Sequence, residues 1–458
     1  MSNAALARAV VAAGAKEGIH IGTNPTSVMR MLGGGQPRWP VPRLVAAVLS
    51  GRLQREIGVT DCGFADRSPM PDDRYDGLRC SATLDDIVRT IAELSGRDVK
   101  RRNLLMSSAF TAGAFAEPAL FAITAPPTEH TARNAGRRVG MPDVEIITET
   151  LDHLRRLDHR FGAGRIREQV VALLNREANT ILHGSYSEKT GKALFSAVAQ
   201  AAWLAGWTSE DIGRDALAQR YYIQALNLAM GAGDRLFAAS VLGEMSRFTL
   251  RIEQGASIPI TEHDRLSHSH AYARQVVALA RAGHSVTNGK ATPMVSTMLY
   301  AVEARGLALL GDANTARTTM MKAQACCERA HAGEEPEWFG TYTQASLASD
   351  LGRCLRDVGE PAPAVRLITQ AMESFESWRI RSRCYMQTDL AAVHLMTRDY
   401  EHAAAIARDA IRTATQLSST TTLDRLRALQ RQVSPLRKDS PHLNELGQRI
   451  TTLLRKDS

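Results

Sequence analysis

The segment ALAQRYYIQAL, residues 216–226, contains the pattern that decides the fold of this chain. Ala218 and Ala225 lie seven residues apart with Tyr222 between them, so all three side chains share one face of a helix. Two small residues around a large one let a second helix pack closely against that face. The segment therefore predicts the second helix of a packed pair.

The same small–large–small pattern recurs four more times towards the C-terminus, at spacings longer than the roughly 34 residues of a strict tetratricopeptide repeat. The further triplets are Ala273/Val277/Ala280, Ala316/Met320/Ala323, Ala364/Ile368/Ala371 and Ala403/Ala407/Ala410. Small residues stand where the first helix of the last three pairs would need them, at Ala304, Gly352 and Ala391. Turn-forming residues follow each of these at 311–312, 359–361 and 398–401.

Helix pairs of this kind cannot bury their apolar faces alone, so they stack into a superhelix with a concave binding wall. Strand patterns are scarce, and aromatic residues make up only 5% of the chain. The sequence therefore predicts an all-α fold, in which a small N-terminal helix-turn-helix domain precedes a superhelical array of tetratricopeptide-like helix pairs.

Four segments follow from the composition and the turn signals. We predict a helix-turn-helix-like domain at 1–64, a helical linker at 65–142, the repeats at 143–417 and basic capping helices at 418–458. Within the linker, helices are expected at 82–94 and 98–107.

The formal net charge of +8 is concentrated at the two ends, each of which carries +4, over residues 1–64 and 419–458. The segment between them is balanced. Basic ends on a neutral body are compatible with an anionic partner, or with charges that are merely solvated.

Apolar residues make up 44% of the chain and charged residues 23%, without an apolar stretch long enough to span a membrane. The N-terminus lacks the pattern of a signal peptide, so we expect a cytoplasmic protein without membrane contact. The six cysteines form no CxxC pair, which argues against a disulfide scaffold and against a cysteine zinc site.

In the N-terminal segment, Asn24 and Pro25 predict the start of a short helix that ends at Leu32, before three glycines. A first helix is expected at 4–13, and a longer one at about 41–55. The longer helix would bury Leu44, Val45, Val48, Leu49 and Leu53.

Two short helices followed by a basic loop and a longer helix fit a helix-turn-helix arrangement. The second helix would present Thr26, Ser27 and Arg30 to a DNA groove, while Arg38 and Arg43 would contact the backbone or the groove edge.

Several runs of residues carry a resemblance to a known family. They are 3–10 (NAALARAV), 26–38 (TSVMRMLGGGQPR), 40–42, 59–64, 157–164 (LDHRFGAG), 186–195 (YSEKTGKALF), 204–207 and 216–226. They resemble bacterial transcriptional regulators with an N-terminal phage-repressor-type (XRE-like) helix-turn-helix and C-terminal tetratricopeptide-like repeats. The resemblance implies regulation of gene expression. Members often carry a further helix before the first of these runs, so a shortened DNA-binding domain is expected here.

Two aromatic groups occur in the array. Trp203, Trp207, Tyr221 and Tyr222 have the spacing typical of a helical core. A second group borders the third and fourth pairs, and we expect any ligand of the groove to contact Trp338, Tyr342, Trp378 and Tyr385.

No catalytic constellation has supporting context, so no enzymatic activity and no cofactor are expected. Residues 184–192 lack the spacing of a phosphate-binding loop. Among the histidines at 263, 268, 270 and 284, only His268 and His270 are near neighbours, and residues two apart do not share a helix face, so no metal site is expected.

The sequence thus favours a DNA-binding transcriptional regulator whose repeats bind a peptide, protein or small-molecule effector or mediate dimerisation. The alternative is a repeat adaptor that binds a peptide or protein without DNA. For the regulator we expect a homodimer. An apolar stripe on the tail could join the two copies or simply cap the array; it consists of Leu423, Leu426, Leu429, Val433 and Leu436.

Overall fold

A computed structural model gives the conformation of most of the chain. It describes residues 2–16, 21–38, 40–53, 57–64, 77–81, 83–100, 110–125, 133–255, 262–331, 333–340 and 342–456. The chain divides into two compact units, Met1–Tyr75 and Asp76–Ser458.

Both units are helical, as the sequence predicts. The helices are α1 (Asn3–Lys16), α2 (Pro25–Leu32), α3 (Val41–Leu53), α4 (Leu84–Lys100), α5 (Ala116–Thr124), α6 (Met141–Phe161), α7 (Arg167–Thr180), α8 (Glu188–Asp211), α9 (Asp215–Ala232), α10 (Arg235–Gly255), α11 (Glu262–Val286), α12 (Pro293–Leu309), α13 (Ala313–Glu328), α14 (Gln344–Asp357), α15 (Pro361–Ser374), α16 (Ile380–Met396), α17 (Tyr400–Ala414), α18 (Thr420–Val433) and α19 (Pro441–Lys456). No strand is assigned within the described ranges. In the same ranges, no helix has the length and apolarity needed to cross a membrane.

The first unit packs α1, α2 and α3 around a small core of Val10, Leu44, Val45 and Phe64. The short helix α2 begins and ends where the sequence predicted. Leu53 was expected in the core but is 58% exposed, because it lies in the last turn of α3, beyond the core contacts of the preceding turns.

The segment predicted as a linker contributes to the second unit's core. Instead of two helices separated near residue 95, α4 runs without a break from Leu84 to Lys100. Its apolar face, with Ile87, Val88, Ile91 and Leu94, packs into the largest apolar cluster. Three predicted stretches lie outside the described residues: the rest of the second predicted helix at 101–107, and the turn-rich stretches at 66–73 and 126–128.

Five helix pairs form the array, as the triplets predicted: α8 with α9, α10 with α11, α12 with α13, α14 with α15, and α16 with α17. Each triplet lies on the second helix of its pair, and all fifteen side chains are buried. Gly352 shows why the facing residue must be small. A Cβ built on it would lie 2.6 Å from Cγ1 of Ile368, the large residue of the opposing triplet.

The basic tail caps the array. Helix α18 packs on α16, and α19 packs on both α17 and α18. Leu426, Leu429 and Val433 of the apolar stripe are buried there within their own chain. These three residues therefore cap the array, while Leu423 and Leu436 are half-buried.

The beginning and the end of the array also meet. The backbone N–H of Ser418 donates to the carbonyl of Phe161 at 3.0 Å, and the N–H of Gly164 donates to the carbonyl of Ser418 at 3.0 Å. Gly162 has a φ of +82°, and a Cβ there would lie 2.7 Å from the Ser418 carbonyl oxygen. Only glycine fits this close approach, which brings the start of the array against its end.

We predict that Gly352→Ala lowers the stability of the array by about 1–3 kcal/mol, because the added methyl overpacks a buried contact with Ile368. The measurement is the urea midpoint of the array's unfolding transition. The matched control is Gly96→Ala in α4, where the nearest atom is the side-chain oxygen of Asn175 at 3.4 Å. That change should leave the midpoint unchanged or raise it, because alanine is the better helix former. Equal effects of the two changes would contradict the close packing.

Candidate functional site

The inner face of the array encloses a cavity of about 240 Å³. Its wall is formed by the first helix of every pair, α8, α10, α12, α14 and α16, together with α6 and α18. The second helices of the pairs contribute no lining side chain within the described residues. The cavity thus occupies the concave side on which repeat proteins usually bind their ligands.

The lining residues of a single helix show how the sequence builds this wall. In α10, Ser240, Glu244, Arg247 and Arg251 point into the cavity, at steps of four, three and four residues. This spacing places them along one face of the helix.

The wall is rich in charge, with eight arginines and four carboxylates among the lining residues. The arginines are Arg155, Arg247, Arg251, Arg305, Arg353, Arg379, Arg381 and Arg425; the carboxylates are Asp158, Glu210, Glu244 and Asp350. Although the segment between the basic ends is neutral overall, its inner surface carries an excess of positive charge.

Asp389 of α16 binds three of the neighbouring guanidinium groups. It accepts a hydrogen bond from Arg356 at 2.8 Å, lies 3.0 Å from Nε of Arg353, and lies 3.3 Å from Nη1 of Arg425. Burial opposes ionisation of this carboxyl, but the three arginines outweigh it and lower its pKa to about 2. The Asp389 carboxylate therefore holds α14, α16 and α18 together.

Arg381 also holds helices together, at the place where the end of the array meets its beginning. Its Nη1 donates to Asp158 of α6 at 2.8 Å and lies 3.4 Å from Asp211, the last residue of α8. The guanidinium also lies over the ring of Trp207, 4.8 Å from its centroid. These contacts join the last pair to the start of the array.

Arg305 of α12 differs from Asp389 and Arg381 in how its charge is paired. It is 5% exposed, and its nearest carboxylate oxygen is on Asp357, 3.9 Å away. No hydrogen bond joins its guanidinium to any residue that the structure describes. Burial, and after it the charge of Arg353, lowers the pKa of Arg305 to about 10.

Aromatic rings fill the spaces between the arginines. The guanidinium carbon of Arg425 lies 4.1 Å from the centroid of Tyr385, and that of Arg247 lies 5.2 Å from Tyr342. Such cation–π contacts fix both partners in place.

Three of the four predicted ligand residues line this cavity. Trp338, Tyr342 and Tyr385 do so, from the turn before α14 and from α16. Trp378 does not: it lies in the turn before α16, is 37% exposed and packs edge-on against His159. The structure therefore brings three of the four residues together at the cavity and places Trp378 outside its lining, against His159.

The other aromatic group divides between two environments. Tyr221 and Tyr222 are fully buried core residues, as the spacing predicted. Trp203 and Trp207, interpreted as core, are half-buried and line the cavity. The helical period does not distinguish the core face of α8 from its concave face, since both are covered by protein.

Sequence reasoning missed the arginines entirely. A signal was available, because Arg305 and Arg353 directly follow the small residues Ala304 and Gly352 of their helices. A residue one step from the pair contact is rotated about 100° from it, towards the concave side.

The predicted DNA-contacting residues lie in the first unit. The side chain of Asn24 caps α2 by accepting the N–H of Ser27 at 2.9 Å. Thr26, Arg30 and Arg38 are exposed. Ser27 is half-buried, and its hydroxyl donates to Asn24 at 3.0 Å, so this side chain serves the cap. Arg43 is also half-buried.

Residues 1–65 match the family model of the SP15 N-terminal domain. The match covers the three-helix unit and ends before the array. No curated protein matches the chain. The first unit is accordingly described below as the SP15-like unit.

Metal-binding geometry is not found in the part of the chain that the structure describes, where no three histidine, cysteine or acidic residues converge. Of the histidines considered from the sequence, the side chains of His263 and His268 lie outside the described residues.

We predict that Asp389→Asn lowers the free energy of unfolding by about 3–5 kcal/mol, because Arg353, Arg356 and Arg425 lose the carboxylate that neutralises them. Urea unfolding followed by circular dichroism measures the effect. Asp409→Asn is the control: its ion pair with Arg412 is exposed, and the change should cost no more than about 0.5 kcal/mol. Similar losses in the two variants would refute the central role of Asp389.

A second prediction concerns pH. Burial raises the pKa of Glu210 from 4.5 to about 7, although Arg251 and Tyr222 partly oppose the shift. Because the folded-state pKa is raised, the stability that Glu210 provides below pH 4.5 is lost as the pH rises through 7, by about 3 kcal/mol. Glutamine mimics the protonated side chain, so Glu210→Gln should become more stable than wild type as the pH rises through this window.

Urea unfolding at a series of pH values tests the second prediction. Glu445→Gln, which removes an exposed carboxylate of α19, should leave the pH profile unchanged. A constant difference between Glu210→Gln and wild type over the window would count against a raised pKa.

Proposed function

We propose that this chain is a DNA-binding transcriptional regulator of the phage-repressor type, whose helical array binds an effector. The observation that carries the proposal is the exposed face of α2 in the SP15-like unit. On this capped helix, Thr26 and Arg30 lie one turn apart and face solvent, and the exposed Arg38 follows in the next loop. Such a helix suits the major groove, with a cation beside it for the phosphates.

The array supports the second half of the proposal. Its cavity combines arginines with aromatic rings on the concave wall, which is the composition of a site for an anionic ligand. An effector bound in the cavity would stabilise the folded array by mass action. Effector binding would in this way change the stability of the protein. This role requires a cytoplasmic location.

Dimerisation belongs to the same proposal, since repressor-type domains gain affinity by pairing on two half-sites. Three of the five residues of the apolar stripe that suggested the tail as the interface, Leu426, Leu429 and Val433, are buried within the chain itself. A homodimer would therefore form through another surface.

A second candidate, a protein-binding adaptor, is favoured by one observation on the same helix. Met29 is 64% exposed and Leu32 is 74% exposed, and they flank Arg30 on α2. Large exposed apolar side chains are more typical of a protein contact than of a phosphate contact.

DNA binding distinguishes the two candidates. Fluorescence anisotropy with labelled genomic fragments at about 50 and 200 mM salt should show an affinity that falls steeply with salt, because phosphate contacts release counterions. Arg30→Ala and Arg38→Ala should each weaken binding, and each should reduce the slope of log affinity against log salt by about 1.

Arg8→Ala is the control, because it removes the same charge from an exposed position on α1. It should change binding less than either variant. Absence of binding to every fragment at low salt would reject the regulator and leave the adaptor.

A further inference from the structure

Arg305 lines the cavity with a charge that only one long ion pair, to Asp357 at 3.9 Å, compensates directly. Six of the eight lining arginines have a carboxylate oxygen within 3.3 Å. Arg379 contacts Glu376 and the rings of Phe375 and Trp378. Arg305 alone among the lining arginines is 5% exposed, forms no hydrogen bond to the described residues and has its nearest carboxylate 3.9 Å away.

A buried guanidinium with one long ion pair and no hydrogen bond is unfavourable, since it has lost its hydration without gaining hydrogen bonds. The charges of Arg353 and Arg356 act against that of Arg305, and the carboxylates of Asp357 and Asp350 offset the cost only in part. A single negative charge brought into the cavity would relieve this cost. The structure therefore calls for a monoanion at this point.

Apolar and aromatic side chains also line the cavity. Met298 precedes Arg305 by seven residues, so both lie on the same face of α12, about 10 Å apart along the helix. Met298 belongs to an apolar cluster that also contains Phe237 and Phe339. Trp338 packs against this cluster. The ring centroids of Phe237 and Trp338 are 4.9 Å apart in an edge-to-face arrangement.

The size of the cavity limits what can enter. Its volume of about 240 Å³ is below the roughly 300–1,000 Å³ of pockets for drug-sized ligands. A small molecule fits this space better than a peptide does.

We infer that the cavity binds a small aromatic monocarboxylate, with the carboxylate on Arg305 and the ring against Trp338, Phe237 and Met298. The inference rests on the proposed effector role and identifies the chemical class of the effector. A carboxylate suits Arg305 because the planar guanidinium can donate two parallel hydrogen bonds to its two oxygens. A phosphate dianion would bring more negative charge than the one uncompensated arginine requires.

The test uses the full-length protein and isothermal titration calorimetry, with tryptophan fluorescence as a second readout because Trp203, Trp207 and Trp338 line the cavity. Naphthalene-2-carboxylate is compared with naphthalene-2-carboxamide, which has nearly the same shape but no charge. We expect the carboxylate to bind at least about tenfold more tightly. Acetate and inorganic phosphate, which lack the ring, should bind more weakly than the naphthoate.

Arg305→Gln should reduce the affinity for the carboxylate about tenfold or more and leave that for the carboxamide unchanged. Without ligand, the same variant should have a higher thermal midpoint than wild type, because a buried charge without hydrogen bonds has been removed. Arg317→Gln is the matched control, since Arg317 lies on α13, the outer helix of the same pair, and is 45% exposed. It should alter neither affinity nor selectivity.

Three results would overturn the inference. One is equal binding, or none, of carboxylate and carboxamide to the wild-type protein, a comparison that needs no variant. Another is a lower thermal midpoint for Arg305→Gln, which would show that the charge is already satisfied within the protein. The third is tighter binding of a tripeptide with a C-terminal phenylalanine than of the naphthoate, which would assign the site to a peptide terminus.

Because these measurements contain no DNA, their outcome is independent of the DNA-binding test. Carboxylate binding without DNA binding would retain the ligand site and reject the regulator, and the reverse result would reject the ligand site alone.

Discussion

The guanidinium of Arg381 joins three helices that are far apart in sequence, and the functional geometry of the array depends on it. It binds Asp158 of α6 and Asp211 of α8 while lying over Trp207. A stack of helix pairs is in principle open at both ends and contacts only its nearest neighbours. Through Arg381 and the backbone bonds at Ser418, this array contacts its own beginning, and the concave wall lines a cavity between its two ends.

Charge is distributed in the array by a consistent rule. Apolar and small residues occupy the contacts between the two helices of each pair, and charged residues occupy the concave face. Buried ion pairs cost desolvation and add little net stability, but they are demanding in geometry, because removing one partner leaves the other uncompensated. Asp389, with Arg353, Arg356 and Arg425 around it, consequently fixes the relative positions of the inner helices and of the rings between them.

The two units present different chemistry. The SP15-like unit has a small core and exposes its candidate contact residues on a short helix and a loop. The array has an extensive core and keeps its candidate site inside. The two units thus differ in where their candidate residues lie, on the surface of the first and inside the second.

The sequence by itself determined the helices, their pairing and their turns, because these depend on residues close together in the chain. The triplet around Tyr222 and the cap at Asn24 needed only local spacing to be recognised. Two predictions show the limit of that reasoning. Leu53 was expected to be buried and α4 to be broken, but burial at a helix end and the continuity of a helix both depend on which other elements pack against it. Only the tertiary structure decided the site. Whether Trp203 or Arg305 faces core, solvent or cavity depends on which distant helix lies opposite, and that follows from the closure of the whole array.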